Sequence, residues 1–390
     1  MAIRNRLAEW LPEITGWRHE FHAHPELLYD LPRTAGRVAG LLREFGCDQV
    51  VEGVGRSGVV AVIAGRASGS GRVVGLRADM DALPIEEASD LPYRSTVPGR
   101  MHACGHDGHT AMLLAAARYL AETRAFDGTA VLIFQPAEEG GAGAREMLRD
   151  GLIERFGIQE VYALHNMPGL PVGQFAIRPG AIMAAADQFD IVVEGKGGHA
   201  AMPQLCADPV LAAAHVVVAV QSIASRTVDP LAQVVVSVCA VKSDTEAHNV
   251  IPARVSLRGT VRTMDAGVQA AVAARLAQIV EATAMAQGCR AELNYRRGYP
   301  VTLNDPGATE AAATVAEAVS GQPVPRDVAP LMGAEDFSFL LNERPGAYIF
   351  LGNGDTAGLH HPAYVFDDQA IPYGASWLIG MAEARMPPAG

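Results

Sequence analysis

Residues 129–141 read TAVLIFQPAEEGG, an apolar β-rich run followed at once by two adjacent glutamates and two glycines. The run at 129–134 is short and bounded by turn residues, which predicts a buried strand. Similar runs lie at Val59–Ile63, Arg72–Leu76 and Val161–Leu164. Amphipathic patterns predict helices at 4–24, 33–45 and 110–122. Strands that alternate with helices predict an α/β fold with a mostly parallel sheet covered on both faces.

The pattern changes near residue 186, where DQFDIVVE (187–194) alternates like a half-exposed strand. The elements predicted after it are a helix at 209–227, strands at 232–241 and 253–262, a helix at 266–286 and a strand at 290–295. The order β-α-β-β-α-β is that of the ferredoxin-like unit, in which both helices cover one face of the sheet.

The α/β pattern resumes after Tyr299-Pro300. Helices are predicted at 307–319, 335–341 and 371–385, and a strand at 347–351. We therefore predict a discontinuous catalytic domain formed by residues 1–185 and 300–390. A ferredoxin-like domain, residues 186–299, is inserted into it, and a sheet with an open edge is a natural surface for dimerisation.

The composition of the chain argues against several classes of protein. The chain has 390 residues, of which 49% are hydrophobic, so it can bury a sizeable core and is not dominated by disorder. Its 31 basic and 43 acidic residues give a net charge of −12. This charge argues against nucleic acid or an anionic membrane as the main partner.

The N-terminal sequence and the placement of the cysteines favour a cytoplasmic location. The N-terminal sequence MAIRNRLAEW has no apolar signal core. No run approaches the roughly 18 uninterrupted apolar residues of a membrane span. The five cysteines are scattered along the chain and form no disulfide framework. We expect a cytoplasmic protein with no membrane partner.

Side chains that bind metals are densest in MHACGHDGH (101–109). Cys104 and His106 stand two apart in a turn opened by Gly105, so a thiolate and an imidazole can converge on one ion. The alternative is a polar loop that caps the helix predicted at 110–122. The number of ligand-type side chains in so short a segment favours a metal site.

Glu138 and Glu139 directly follow the strand predicted at 129–134. Functional groups of α/β sheets lie at the carboxyl ends of strands, and the side chains of adjacent residues point in different directions. One carboxylate can therefore bind a metal while the other transfers protons. The alternative is a charge pair at the N-terminus of a helix, where the helix dipole favours acidic residues.

Further histidines extend this cluster. His165 closes a predicted strand and falls at the same sheet edge as the glutamates. His360 and His361 lie in a loop after another strand, and either can reach that edge. Together these groups suffice for two divalent ions with a bridging ligand. His199 lies in a glycine-rich turn, GKGGHAAMP (195–203), and is expected to be too distant from the cluster of its own subunit.

The motifs taken together resemble a known family. Hippurate hydrolases, bacterial N-acyl-amino-acid amidohydrolases and plant indole-acetyl-amino-acid hydrolases carry the same motifs in the same order. The motifs are MHACGHDGHT, QPAEEGG, ALHN, GKGGHAAMP, NVIP (249–252), RGTVRT (258–263), GAEDFS (333–338) and LHHPAYVFDD (359–368), and WRHEFHAHPEL and VVGLRADMDALPI also fit. The resemblance spans essentially the whole chain. It implies membership of a clan of aminoacylases, dipeptidases and carboxypeptidases with two co-catalytic metals.

The resemblance implies the metal ligands. They are Cys104, His106, Glu139, His165 and His360. His360 is preferred to His361 because the family pattern reads Leu-His, a variable residue and Pro. Cys104 stands where the wider clan has a bridging aspartate. Arg77 stands where that clan has a ligand histidine, which fits the cysteine-containing branch, and Asp79 looks like a residue that orients a ligand.

The resemblance also implies roles in catalysis and substrate binding. Glu138 looks like the general base. His199 is similar to the residue that reaches across a dimer interface into the partner's site. Asn249 and either Arg258 or Arg262 are similar to contacts with the substrate carboxylate.

These observations predict a metal-dependent amidohydrolase that cleaves N-acyl-amino acids to a carboxylic acid and a free amino acid. We expect two divalent ions per subunit, manganese or zinc ahead of cobalt or nickel, and a homodimer or a higher homo-oligomer. A dipeptidase or carboxypeptidase of the same clan is the alternative. A metal-binding dimer without turnover is more distant, because Glu138 beside Glu139 provides a base that a metal store does not need.

Overall fold

The computed structural model describes residues 5–388, which form two compact units. The first unit comprises residues 5–182, 303–329 and 336–388. The second unit comprises residues 183–302 and 330–335.

Helices and strands alternate along the first part of the chain. The helices are α1 (Asn5–Ala23), α2 (Pro32–Glu44), α3 (His106–Thr123), α4 (Glu138–Gly141), α5 (Gly143–Arg149) and α6 (Leu152–Phe156). The strands are β1 (Gln49–Val54), β2 (Gly58–Ala64), β3 (Val73–Asp79), β4 (Thr129–Gln135), β5 (Glu160–Met167), β6 (Phe175–Ala176) and β7 (Gly180–Met183).

The middle part of the chain has a different order of elements. They are β8 (Ala185–Glu194), β9 (Gly198–His199), α7 (Pro209–Ser222), β10 (Val234–Ser243), β11 (Val250–Ile251), β12 (Arg254–Thr263), α8 (Ala266–Ala286) and β13 (Arg290–Tyr299). The last part contains β14 (Thr302–Asn304), α9 (Pro306–Ser320), α10 (Ser338–Glu343), β15 (Gly346–Gly352) and α11 (Ile371–Arg385).

The first unit is built on a seven-stranded sheet of order β1-β2-β4-β3-β5-β15-β6. β3, β4, β5 and β15 pair in parallel. β1 shares their direction, because it is antiparallel to β2 and β2 is antiparallel to β4. β6 is antiparallel to β15. Five of the seven strands thus run in one direction, which confirms the predicted α/β class with a mostly parallel sheet.

The centre of this sheet is deeply buried. β4, β5 and β15 are buried along nearly their whole length. The sequences TAVLIF and AYIFL place apolar side chains on both faces of a strand, as a sheet covered on both faces requires. α3 is also almost fully buried, and its run of alanines, Ala115–Ala117, lets α1 and α11 approach it closely.

The second unit contains a four-stranded antiparallel sheet of order β10-β12-β8-β13. α7 and α8 pack on the face that carries Phe189, Ile191 and Val193. The residues between them on β8 are more exposed, so the alternation predicted for 187–194 is present. This strand order and these two helices are the ferredoxin-like topology.

Some elements differ from the sequence predictions. α7 ends at Ser222 and continues as a wider helical turn, Ile223–Thr227. The helix predicted at 335–341 is α10, which begins at Ser338. β1 was not predicted, because it lies at the sheet edge and its sequence QVVEGV has a weak apolar signal.

One helix of the described chain, Pro209–Thr227, is long and apolar enough to span a membrane by length and composition. Core helices of soluble proteins can pass the same test. Here Ala212, Val216 and Val220 are part of the core of the second unit.

Candidate metal centre

The predicted site residues of the first unit meet at the carboxyl ends of its parallel strands. Asp79 ends β3 and pairs with Gln135, which ends β4 three residues before Glu138. His165 lies near the end of β5, beside β15. The loop after β15 carries His360. Parallel pairing thus collects at one edge residues that are far apart in the sequence.

Ligand-type atoms converge at this edge. Cys104, His106 and His165 each offer an atom, and these atoms all lie within 4.8 Å of one another. Among the other groups that meet the same limit are Cys104, Glu139 and His360, and His106, Glu138 and Glu139. Because the groups share members, the structure brings the five predicted ligands and Glu138 into one cluster.

The two buried histidines that are predicted as ligands face the cluster with the same ring nitrogen. Nδ1 of His106 donates to the backbone carbonyl of Asp81 at 2.8 Å, and Nδ1 of His165 donates to that of Asn166 at 2.6 Å. Each Nε2 therefore keeps a lone pair for a cation. Nε2 of His106 is buried and has no hydrogen-bond partner among the described residues. A buried polar atom without a partner is costly, and a divalent cation would satisfy it.

The turn between Cys104 and His106 requires a glycine. Gly105 has a φ of 85°, and a Cβ there would lie 2.4 Å from Nδ2 of Asn166 and 2.5 Å from the Tyr364 hydroxyl. Nδ2 of Asn166 donates to the carbonyl of Cys104 at 2.6 Å, and the Tyr364 hydroxyl donates to Oδ1 of Asn166 at 2.7 Å. These contacts fix the thiol at the start of α3.

The electrostatics around His106 and His360 favour positive charge. Hydrogen bonding to Cys104 and Glu139 raises the pKa of His360 to about 10. Burial opposes the protonation of His106, but Asp79 and Cys104 outweigh it and hold the pKa of His106 well above its usual value. Groups that favour protons on these histidines also favour a metal ion that replaces the protons. Mixed thiol, imidazole and carboxylate donors suit a first-row divalent ion.

The structure separates His360 from His361. His360 has a φ of 63°, its backbone N–H donates to the carbonyl of Ala103 at 2.8 Å, and its Nε2 lies 3.2 Å from Oε1 of Glu139. Nδ1 of His361 instead accepts the N–H of Ala363 at 3.0 Å within its own turn. His360 is thus the histidine of this loop that reaches the cluster.

Asp79 contacts His109, a histidine outside the predicted ligand set. Its Oδ1 lies 2.7 Å from Nδ1 of His109, and its Oδ2 accepts from Nη1 of Arg77 at 2.8 Å and lies 3.7 Å from Nε2 of His106. Nε2 of His109 accepts the N–H of Asn166 at 3.0 Å. Asp79 therefore orients His109, which in turn supports the residue that follows His165.

Sequence reasoning missed Asp81. Its carboxylate accepts the backbone N–H of Glu138 at 2.9 Å and that of Glu139 at 3.1 Å. The available signal was its place as the second acid of RADMD, two residues after Asp79.

A buried network of charged side chains adjoins the turn that holds Cys104 and His106. Oδ2 of Asp107, the residue after His106, lies 2.8 Å from Nδ1 of His22 and accepts from Nη1 of Arg18 at 3.1 Å. Nε2 of His22 lies 3.2 Å from Oε1 of Glu87. Burial opposes the protonation of His22, but Asp107 and the hydrogen bonds raise its pKa to about 9.

The remaining predicted residues belong to the second unit. His199 lies on β9 opposite Val250 of β11, and the N–H of Ala200 donates to the carbonyl of Asn249 at 3.0 Å. The structure therefore makes His199 and Asn249 neighbours on one two-stranded ribbon. Both are exposed.

Arg258 and Arg262 lie on β12, on the sheet face that α7 and α8 do not cover. Nε of Arg258 lies 3.3 Å from Oδ1 of Asp190. Nη1 of Arg262 donates to the carbonyl of Val261 at 3.0 Å. Arg258 is exposed and Arg262 is half-buried.

Known proteins match the chain over nearly its whole length. Hippurate hydrolase from Campylobacter jejuni is 41% identical over 366 residues, which cover 94% of each chain. Thermostable carboxypeptidase 2 from Saccharolobus solfataricus is 36% identical, over 96% of this chain and 97% of its own. The crystal structure of a dinuclear metal-binding peptidase of the M20 family from Bacillus subtilis has a TM-score of 0.84 and 33% identity, and the match covers 97% of this chain and 99% of that one.

These matches agree with the cluster of metal-ligand side chains and confirm the resemblance seen in the motifs. Residues 75–384 match the model of peptidase family M20/M25/M40. The chain belongs to this family and is a metal-dependent hydrolase of amide bonds.

Proposed function

We propose that this enzyme hydrolyses the amide bond of N-acyl-amino acids and releases a carboxylic acid and a free amino acid. The observation that carries the proposal is the pair Glu138 and Glu139. Both carboxylates group with His106, but only Glu139 also groups with Cys104 and His360 among the described residues, and Glu138 is only 7% exposed. The pair thus provides both a ligand and a shielded base. The similarity to a hippurate hydrolase supports an N-acyl-amino acid as the substrate.

We propose that two divalent ions bind per subunit, with manganese or zinc ahead of cobalt or nickel. The residues that would hold them are Cys104, His106, Glu139, His165 and His360. The chemistry that such ions supply when bound is activation of water and polarisation of the amide carbonyl.

Glu138 is the proton carrier in this proposal. An amide nitrogen is a poor leaving group unless it is protonated, and water is a poor nucleophile unless it loses a proton. The carboxylate of Glu138 takes the proton from the attacking water and delivers it to the nitrogen of the leaving amine. Its backbone N–H is held by Asp81, which restricts where the carboxylate can lie.

The second unit is proposed to form a homodimer and to supply His199 to the site of the other subunit. Nδ1 of His199 accepts the N–H of Ala201 at 3.1 Å, so the neutral ring carries its proton on Nε2. That N–H can donate to the oxyanion that forms on the substrate carbonyl. Asn249, beside His199, and Arg258 or Arg262 are proposed to bind the substrate carboxylate.

Exposed apolar side chains support dimerisation through this unit. Val210, Leu211 and Val218 are exposed on α7, and Val241 is exposed on β10, which lies at the edge of the sheet. Exposed apolar surface and an edge strand are features that a second copy can cover. All five cysteines are free thiols, which suits a reducing cytoplasm as the proposed location.

A substrate panel tests the proposal. The metal-loaded protein is assayed with hippurate, N-acetyl-methionine and a dipeptide that has a free amino group, before and after chelation. We expect release of amino acid from the N-acyl substrates, loss of this activity on chelation and its return with manganese or zinc. Faster cleavage of the dipeptide would favour the carboxypeptidase or dipeptidase alternative, which the 36% identical carboxypeptidase supports. Bound metal without turnover of any substrate would contradict a catalytic role.

A further inference from the structure

Asp81 stands two residues beyond the end of β3 and is buried, with 1% of its surface exposed. The backbone N–H of Met80 donates to the carbonyl of Gln135 at 2.9 Å, and this bond carries the chain from β3 across the end of β4. Asp81 therefore lies beneath the turn that contains Glu138 and Glu139.

Each carboxylate oxygen of Asp81 accepts a hydrogen bond from the backbone of a different glutamate. Oδ1 accepts the backbone N–H of Glu138 at 2.9 Å, and Oδ2 accepts that of Glu139 at 3.1 Å. These N–H groups open the short turn α4, and the first N–H groups of a helical turn have no partner inside the turn. Asp81 is thus an external acceptor for both.

This turn has a backbone conformation that needs outside support. Ala137, which precedes it, has a φ of 54°, and Gly140 has a φ of 86°. The left-handed region is unfavourable for a residue with a Cβ, and such residues persist only where surrounding contacts hold them. The paired hydrogen bonds to Asp81 are such contacts, and they act on the two residues that follow Ala137.

The main chain of Asp81 holds a third member of the cluster. Its carbonyl oxygen accepts from Nδ1 of His106 at 2.8 Å, which leaves the Nε2 lone pair directed at the cluster. Nε2 of His106 lies 4.0 Å from Oε1 of Glu139. One residue therefore holds an imidazole through its carbonyl and the backbone of both glutamates through its side chain.

We propose that Asp81 is a positioning residue that sets the separation of His106 from Glu139 and holds Glu138 in place as the base. Both of its carboxylate oxygens accept backbone N–H groups, and Asp81 belongs to none of the groups of ligand-type side chains in the described chain. The part that concerns Glu138 rests on the proposed function. The part that concerns the ligands is measured through metal affinity, without turnover.

The test is Asp81→Asn, which keeps the size of the side chain but places an NH₂ group opposite one of the two backbone N–H groups. Metal affinity is measured by competition with a chromophoric chelator, and kcat and KM are measured at saturating metal. We expect the metal Kd to rise and kcat to fall by about 10- to 100-fold each, with KM changed by less than about threefold. Unchanged Kd and kcat in the folded variant would overturn the proposal.

Asp127→Asn is a matched control. Asp127 is also a buried aspartate, 7% exposed, and its Oδ1 accepts the backbone N–H of Ser70 at 3.1 Å. It belongs to no group of ligand-type side chains in the described chain. We expect this variant to lower the Tm and to leave the metal Kd and kcat per bound metal unchanged. Equal losses of metal affinity in both variants would reduce Asp81 to a structural residue and overturn the proposal.

Amide hydrogen exchange in the wild-type holoenzyme tests the proposal even if Asp81→Asn does not fold. The N–H groups of Glu138 and Glu139 are expected to exchange at least about 100-fold more slowly than an unstructured peptide, because a buried carboxylate accepts both. Exchange of either at the peptide rate would overturn the proposal. If no substrate is turned over but metal affinity still falls in Asp81→Asn, the proposed function fails and the positioning of the ligands stands.

Discussion

Sγ of Cys104 lies 3.4 Å from Nε2 of His165, although 61 residues separate them in the sequence. The turn before α3 places the thiol, and the carboxyl end of β5 places the imidazole. Both side chains are buried. A thiol and an imidazole nitrogen at this distance can bind one cation together, so we expect the metal affinity of the cluster to depend on this pair.

Cys104→Ala is expected to remove at least one ion per subunit and to lower kcat by more than about 100-fold, because a ligand is lost from the cluster. Elemental analysis of the purified variant gives the metal content, and an N-acyl-amino acid assay gives kcat. Cys47→Ala is the control, since Cys47 is a partly buried free thiol outside the ligand groups of the described chain. Two tightly bound ions in Cys104→Ala would remove Cys104 from the ligand set.

Variants of the two adjacent histidines in the loop after β15 can be compared directly for their effect on metal binding. His360→Ala is expected to weaken metal binding by about 10-fold or more, because its Nε2 lies 3.2 Å from Oε1 of Glu139. His361→Ala removes a ring whose Nδ1 accepts a hydrogen bond within its own turn, and we expect less than about a twofold change. Metal titration of both variants under the same conditions checks the prediction, and the reverse order of effects would assign the loop ligand to His361.

This pair of histidines also shows how far the amino-acid sequence determines the site. The spacing of Cys104 and His106 around Gly105 is enough to predict a shared cation. The residue types of the loop leave His360 and His361 equivalent, and the family pattern alone separates them. The structural distinction lies in the left-handed φ of His360 and its bond to the carbonyl of Ala103, which are properties of the folded loop.

Asp81 could not be found from sequence for a related reason. Its role depends on the pairing of β3 with β4, which brings the residues after Asp79 under the turn of Glu138. The apolar runs predict both strands, and their alternation with helices predicts a mostly parallel sheet, but neither pattern specifies which atoms meet beyond the strand ends. The order of the main elements is therefore predictable, and the contacts that support the ligands are not.

Mixing two inactive variants tests the proposed role of His199 across a dimer. Glu138→Ala removes the base and keeps the ligands, and His199→Ala removes a donor that is proposed to serve the other subunit. A heterodimer contains one site without either change and one site with both. We therefore expect up to about half of the wild-type activity per heterodimer after subunit exchange. Mass spectrometry of the intact dimers confirms exchange, and heterodimers without activity would show that His199 does not act on the other subunit.

The buried pair of His22 and Asp107 predicts how stability depends on pH. Below about pH 6.5, His22 is protonated in both the folded and the unfolded chain, so its full stabilising effect is present. As the pH rises toward 9, the unfolded chain loses this proton while folded His22, with its pKa of about 9, retains it, and the contribution is lost progressively. The contribution of His22 therefore declines between these two values.

The measurement is urea unfolding of wild type and His22→Gln at pH 6, 7.5 and 9.5, with chelator present so that metal binding does not contribute. The stability advantage of the wild type is expected to shrink by on the order of 3 kcal/mol across this range, as a pKa raised from 6.5 to about 9 requires. A constant difference for His22→Gln would show that the pKa of His22 is the same in the folded and the unfolded chain, and that Asp107 does not raise it.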